Sequence, residues 1–144
     1  MPAPKRKDPY ENFNFRVEID GITQAGFSEV IIPEAGIDVV EYREGNESSH
    51  VRKIPGRVRY GNVILKWGIT NSQELYNWWK AVRDGNVMRK NMSIVLMDLQ
   101  RIDVKRWNVK EAWPVSYAVG PLDAKGRDVL IEKLEIANEG VEQA

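Results

Sequence analysis

Phe13-Asn14-Phe15-Arg16-Val17-Glu18-Ile19 alternates apolar and polar side chains without a break and stops at Asp20-Gly21. A period of two belongs to a strand with one dry face and one wet face. The same alternation recurs to the C-terminus, so the chain reads as mainly β. Strands of this kind leave edges that must be covered or used to bind a second copy or a partner.

The first strand is expected over 12–19, with the turn at Asp20-Gly21 leading on into Ile22 and Phe27. A second extended region covers 36–42. A third covers 57–67, its dry face marked by Val58, Tyr60, Val63, Leu65 and Trp67, and the skip at Gly61 predicts a bulge. Strands resume at 92–97 and at 106–119, where Trp107, Val109, Trp113, Val115, Tyr117 and Val119 share one parity. Pro114 lies inside that run and places it at a sheet edge or a bulge. The last strand is expected over 128–137, followed by Asn138-Glu139-Gly140 and a short tail.

Residues 70–85 form the one helical pattern. Leu75, Trp78, Trp79 and Val82 fall on one stripe at i, i+3, i+4, i+7, which faces a sheet. Thr70, Asn71 or Ser72 is expected to cap the helix, with Gln73 or Glu74 completing a capping box, and Asp84-Gly85 to close it.

A chain of 144 residues supports one domain, 1–144, and buries roughly 70% of the surface it exposes unfolded. Its 21 basic and 21 acidic residues balance, which gives no generic attraction to nucleic acid or to anionic membrane. With no cysteine, neither disulfides nor thiolate sites are available. No apolar run approaches the ~20 residues that cross a bilayer. The N-terminus lacks the apolar stretch of a leader, so the chain is expected to fold in the cytosol where it is made.

The one histidine, His50, sits in a polar loop without a nucleophile elbow beside it. Asp98 with Asp103, or Glu41 with Glu44, could be read as an acid/base pair, but nothing near them supplies apolar surroundings to split their pKa values. Gly56 to Gly61 opens no helix and carries no following Lys-Ser/Thr. The reading is that the chain is not an enzyme and needs no cofactor or metal.

Residues 1–11 form a polar, proline-broken arm, and 43–56 a long polar loop of a kind that tends to be functional. Charge is sorted around that loop. From Glu29 to Glu47 there are six acids (Glu29, Glu34, Asp38, Glu41, Glu44, Glu47) and one base, Arg43. From Ser48 to Ser72 there are five bases (Arg52, Lys53, Arg57, Arg59, Lys66) and no acid. Two arrangements satisfy this: the limbs pair within one chain, or each meets the opposite limb of another copy.

Several motifs now combine. Phe13 to Gly21 with Gly26-Phe27-Ser28-Glu29, Pro55-Gly56, Tyr60-Gly61-Asn62, Leu65-Lys66-Trp67-Gly68, and Trp78-Trp79 stand in that order. Arg106-Trp107-Asn108, Ala112-Trp113-Pro114-Val115, Gly120-Pro121-Leu122-Asp123 and Glu132-Lys133-Leu134-Glu135 with Glu139-Gly140 follow. Over about 12–140 this resembles the inner tube protein family of contractile tails, found in myovirus tails and phage-tail-like injection particles. Trp67 departs from the pattern, which has a basic residue before that glycine.

The resemblance implies a small β-barrel of two packed antiparallel sheets with one helix, forming hexameric rings that share an inner barrel and stack into a hollow tube. The implied partners are further copies, a sheath protein, baseplate and tail-terminator proteins, and protein or DNA cargo in the lumen, with no membrane insertion by the subunit. It implies assembly in a bacterial cytoplasm into a virion tail or a released particle. The arm and the loop would contact the next ring, through Lys5, Arg6, Lys7, Tyr10, Glu41, Arg43, Glu44, Asn46, Glu47, His50, Arg52, Lys53, Arg57 and Arg59. A tube initiator of the baseplate has the same fold and stays open as an alternative. From another class, so does a monomeric β module binding carbohydrate through Trp67, Trp78, Trp79, Trp107 or Trp113.

Overall fold

The computed structural model describes residues 14–23, 26–43, 45 and 51–144. In chain order its elements are β1 (Phe15–Ile19), β2 (Phe27–Ile31), β3 (Ala35–Tyr42), β4 (Arg52–Tyr60) and β5 (Val63–Gly68). The helix α1 (Glu74–Arg83) follows, then β6 (Lys90–Met97), β7 (Asp103–Val119), β8 (Ile131–Ala137) and β9 (Gly140–Gln143). All strand pairs are antiparallel.

β7 is the spine. Its 17 residues are too many for one flat sheet, and the strand bends where Met92 faces Val109 but Lys90 faces Ala112. Two steps on β6 against three on β7 make a bulge, and Glu111 there adopts the left-handed φ of 51°. The first half of β7 pairs with β6 and β9, the second half with β8. The strand order β1-β6-β7-β8-β5-β2 therefore divides into two sheets hinged on one strand. The bulge also resets the side-chain parity, so the single dry parity expected over 106–119 is corrected: Val109 is buried before it, Ala112 and Pro114 after it. Pro114 keeps its place in the strand because the register shifts again between it and Ser116.

Between the sheets lies the core: Val63, Leu65 and Trp67 from β5, Leu134 and Ile136 from β8, Met92 and Ile94 from β6, with Leu75 and Trp78 of α1. Each fully buried aliphatic or aromatic side chain contributes about 1.5–3 kcal/mol relative to exposure. Trp79 and Val82 pack against this core from the helix stripe. The Trp78 indole N–H donates to the Met88 carbonyl at 2.7 Å, fixing the chain beyond the helix.

The helix differs from expectation at its start. Gln73 is the N-cap, with no side-chain cap hydrogen bond among the described residues. The Glu74 carboxylate, instead of closing a capping box, accepts from the Thr23 amide at 2.8 Å and the Thr23 hydroxyl at 3.0 Å. The acid is thus used to tie α1 to the β1–β2 connection. At the other end Gly85 takes φ 95° while the Gly85 and Asn86 amides reach back to Val82 and Ala81, the pattern expected of Asp84-Gly85.

Three further corrections concern the first half and the tail. Gly61 is not a bulge in one strand: β4 ends at Tyr60 and β5 begins at Val63, with different partners. The Gly61 amide donates to Glu34 and its carbonyl accepts from Asn138, so the chain turns a corner there. The loop expected over 43–56 is shorter, because Arg52 to Gly56 belong to β4. Finally β2 and β9, read only as connection and tail, are strands whose apolar residues are too few to show a period. The start expected at Asn12 falls outside the described residues, β1 beginning at Phe15.

Candidate assembly surface

Among the described residues β3 and β4 pair only with each other. A two-stranded ribbon is marginal in water unless something covers a face. On one face Ile37 lies opposite Val58 and Val39 opposite Pro55; on the other, Val40 lies opposite Ile54 and Tyr42 opposite Arg52. Ile37, Val39, Val40 and Val58 are each at least 50% exposed. Both faces are apolar and both are bare among the described residues. A bulge on β4 sets this geometry, three steps from Pro55 to Val58 matching two from Ile37 to Val39. Gly56 is required there, since a Cβ would meet Val40 at 3.0 Å and the Asp38 carbonyl at 3.1 Å.

The sorted charges line this ribbon. Arg59 and Asp38 form an ion pair at 2.8 Å, and Glu41 faces Lys53 in register. At Asp38 and Arg59 the within-chain arrangement is the one adopted. Of the residues expected to make contacts, Glu41, Arg52, Lys53, Arg57 and Arg59 stand exposed on the ribbon and Arg43 at its end. Glu44, Asn46, Glu47, His50 and, in the arm, Lys5, Arg6, Lys7 and Tyr10 lie outside the described residues. The exposed apolar residues between the charges were not among those expected, and Val58, expected on a dry face, is 57% exposed because β4 leaves the core sheet for the ribbon. Their signal was the failure of alternation at Val39-Val40 and Ile54-Pro55, which puts apolar side chains on both parities.

Each sheet also has open edges. Among the described residues β2 pairs only with β5, β1 only with β6, and the second half of β7 only with β8. The outer face of the β1-β6-β7 sheet carries a clasp of four charges. Arg16 bonds Asp103 through both guanidinium nitrogens (2.7 Å for the second) and Glu18 at 2.9 Å, while Arg106 bonds Glu18 at 3.0 Å. Val95 lies between them in register and is fully buried. Arg106, then Arg16, hold Glu18 below the usual carboxylate range; Arg16 does the same to Asp103 and is itself raised.

Depressed carboxylates stabilise the fold at neutral pH and lose that contribution as pH falls through their folded values. A thermal midpoint that drops by a few degrees below about pH 4, and less steeply in a Glu18→Gln/Asp103→Asn variant, is the expected result of melting across pH.

Inside, the Tyr117 hydroxyl donates to Glu132 at 2.7 Å, and burial, then that bond, push Tyr117 up to about 12. The Tyr76 ring meets Tyr117 edge-on at 5.2 Å, joining α1 to β7. Asp98 is spent on the β6–β7 turn, accepting from the Gln100 and Ile102 amides, and Asp103 on the clasp, so the two do not form a pair. Trp67 and Trp78 are buried, Trp79 and Trp107 pack on the core, and Trp113 is half-buried. Among the described residues no cluster of three His, Asp or Glu is placed to hold a metal, and no helix is long and apolar enough to cross a membrane.

Residues 11–142 match the model of the T4-like virus tail tube protein gp19 family. No curated protein sequence matches the chain. A chain of the anti-feeding prophage baseplate, solved with six-fold symmetrisation, is similar at TM-score 0.84 and 23% identity, covering 96% of this chain and 97% of that one. A chain of the sheath–tube complex of an extracellular contractile injection system, PVC, is similar at TM-score 0.84 and 24% identity, covering 94% and 91%. Hcp1 from Flavobacterium johnsoniae is similar at TM-score 0.58 and 19% identity, covering 92% and 95%. At these identities the structures establish the shared fold: mainly β, two antiparallel sheets and one helix.

Proposed function

We propose a function from one premise: this chain belongs to the T4-like virus tail tube protein gp19 family. The subunit is a structural element of a contractile injection particle, and its copies join edge to edge into a hexameric ring whose stacking makes a hollow tube. The observation that carries this is the β3–β4 ribbon, apolar on both faces and bare on both. A ribbon of that kind is stable when a neighbouring copy covers it.

The sheet of β2, β5, β8 and the second half of β7 supplies the ring. Its four strands alternate in direction, so a rotated copy offers its β2 antiparallel to the open edge of β7. Ring closure then removes both edges, and a barrel of so many strands leaves an aqueous bore. Its outer face bears small residues, Ser28, Ser116 and Ala118, suited to a concave lining. The first sheet, with its bulky charged clasp, faces outward toward the sheath.

Ring-to-ring contacts are heterologous and so extend rather than close. The ribbon makes them, with Glu41, Arg43, Arg52, Lys53, Arg57 and Arg59, joined by the arm through Lys5, Arg6, Lys7 and Tyr10 and by the tip through Glu44, Asn46, Glu47 and His50. The chain acts as one domain, is assembled in the cytoplasm and performs no catalysis. Force comes from the sheath, baseplate and terminator proteins bound the tube's ends, and protein or DNA occupies the bore.

A second reading is favoured by the likeness to a baseplate chain: a tube initiator of the same fold, present in a fixed low copy number. Negative-stain microscopy of the purified chain decides. Rings or tubes of uniform diameter are expected; a protein that stays monomeric at high concentration refutes the assembly reading, and single rings that never stack favour the initiator.

A further inference from the structure

The outer face of the β2-β5-β8-β7 sheet holds an open depression of about 420 Å³ that runs across all four strands, between the two open edges. One row of side chains crosses it: Glu29 on β2, Lys66 on β5, Lys133 on β8 and Ala118 on β7, each opposite the next in register. Lys66 reaches Glu29 at 3.3 Å. Lys133 has like charge on one side, Lys66, and only a methyl group on the other. Among the described residues it has no acidic partner.

Like charges directly opposite are unfavourable in a sheet unless an acid relieves them. The row has one acid for two ammonium groups, and the unrelieved one lies a single strand from the open edge of β7. Across that edge, in the ring, comes β2 of the next copy, whose acid in this row is Glu29. From β8 over β7 to a new strand is two strand spacings, about 10 Å. An extended lysine and an extended glutamate bridge that gap over the methyl group of Ala118, where any larger side chain would stand in the way.

We infer that Lys133 of each subunit pairs with Glu29 of its neighbour, so that Glu29 is held between Lys66 of its own chain and Lys133 of the next, and the row becomes a continuous charge belt around the bore. The pairing rests on the ring reading above. It fixes the register in which β2 meets β7, because a slip of one residue turns the row to the other face. The occupant of this surface is therefore a second copy of this chain.

The test is a charge exchange scored by negative-stain microscopy and sedimentation velocity on the full chain. Lys133→Glu sets a carboxylate against the neighbour's Glu29 and is expected to lower ring yield at fixed concentration by about tenfold or more. Lys133→Gln, neutral and of similar length, is expected to lower it less. The double variant Glu29→Lys/Lys133→Glu restores the belt with signs exchanged, Lys66 then having an acid in its own chain, and is expected to recover rings. Unchanged circular dichroism and melting confine the effect to assembly. Rings from Lys133→Glu in normal yield overturn the pairing, as does a double variant that fails to recover. Failure of the unsubstituted chain to form rings overturns the assembly reading itself.

Discussion

Val39→Asp and Ile54→Asp, singly or together, are expected to yield a folded monomer that forms neither rings nor tubes. Val39 is 62% exposed and Ile54 45% exposed, on opposite faces of the β3–β4 ribbon, and neither belongs to the core. In the isolated subunit each change is a surface substitution, worth about 0.5 kcal/mol or less. In the tube each would bury a carboxylate against apolar neighbours, at a cost of several kcal/mol if it ionises without a partner. Assembly multiplies that penalty over every copy, so loss rather than weakening is expected. Because the faces differ, the single variants separate their roles. If one stops rings and the other only stacking, one face serves the ring and the other the next ring. Sedimentation velocity and negative-stain images read assembly, while thermal melting reads the fold. Tubes of normal length from the double variant would remove the ribbon from the interface.

How far this surface could be read from the sequence depends on what each segment buries. β5, β8 and the helix stripe were legible because one face of each is packed and the other wet, which is what makes a period visible. Leu65 and Trp67, Leu134 and Ile136, Leu75 and Trp78 all stand in the core. The ribbon has no dry face within the chain, so its apolar residues fall on both parities; 36–42 and 57–60 were read as extended, but 52–56 read as loop. β2 and β9 are short edge strands of five and four residues, too brief to declare a period. The parity along β7 failed because the strand is irregular at two places, the bulge at Glu111 and the shift between Pro114 and Ser116, and no alternation rule marks an inserted residue. The charges were conspicuous and drew attention to that segment. The exposed apolar set between them is the surface we propose for contact.

The clasp on β1 and the lysine at Lys133 on β8 illustrate a division of labour between charges in the two sheets. Arg16, Glu18, Asp103 and Arg106 satisfy one another within the subunit. Such a closed set has little left to offer a partner. Lys133 is the opposite case, a lysine that forms no ion pair among the described residues, beside an edge that no strand among them covers. A surface complete in itself and a surface left one charge short differ in what they can bind, and only the second specifies a neighbour.

Trp67→Ala is expected to have the largest effect on the fold. The indole is 2% exposed, lies between Phe27 of β2 and Glu132 of β8 in register, and takes the Phe27 ring edge-on at a centroid separation of 6.1 Å. Truncating a buried tryptophan costs about 3–5 kcal/mol, a transfer loss plus the cavity left behind. Set against a total stability of about 5–15 kcal/mol, this lowers the melting midpoint by about 10 °C or more. The position has a second consequence. β2 has no other strand partner than β5 among the described residues, so the Phe27–Trp67 contact holds down the edge that meets the next subunit in the proposed ring. Assembly should therefore fail at temperatures well below global unfolding, with β2 amides exchanging with solvent faster than those of β8. Ile31→Ala, on the outer face of the same strand and 39% exposed, is the control, expected to move the midpoint little. An equal loss in both variants, or rings from Trp67→Ala that persist to its melting temperature, would show that β2 is held by something other than this indole.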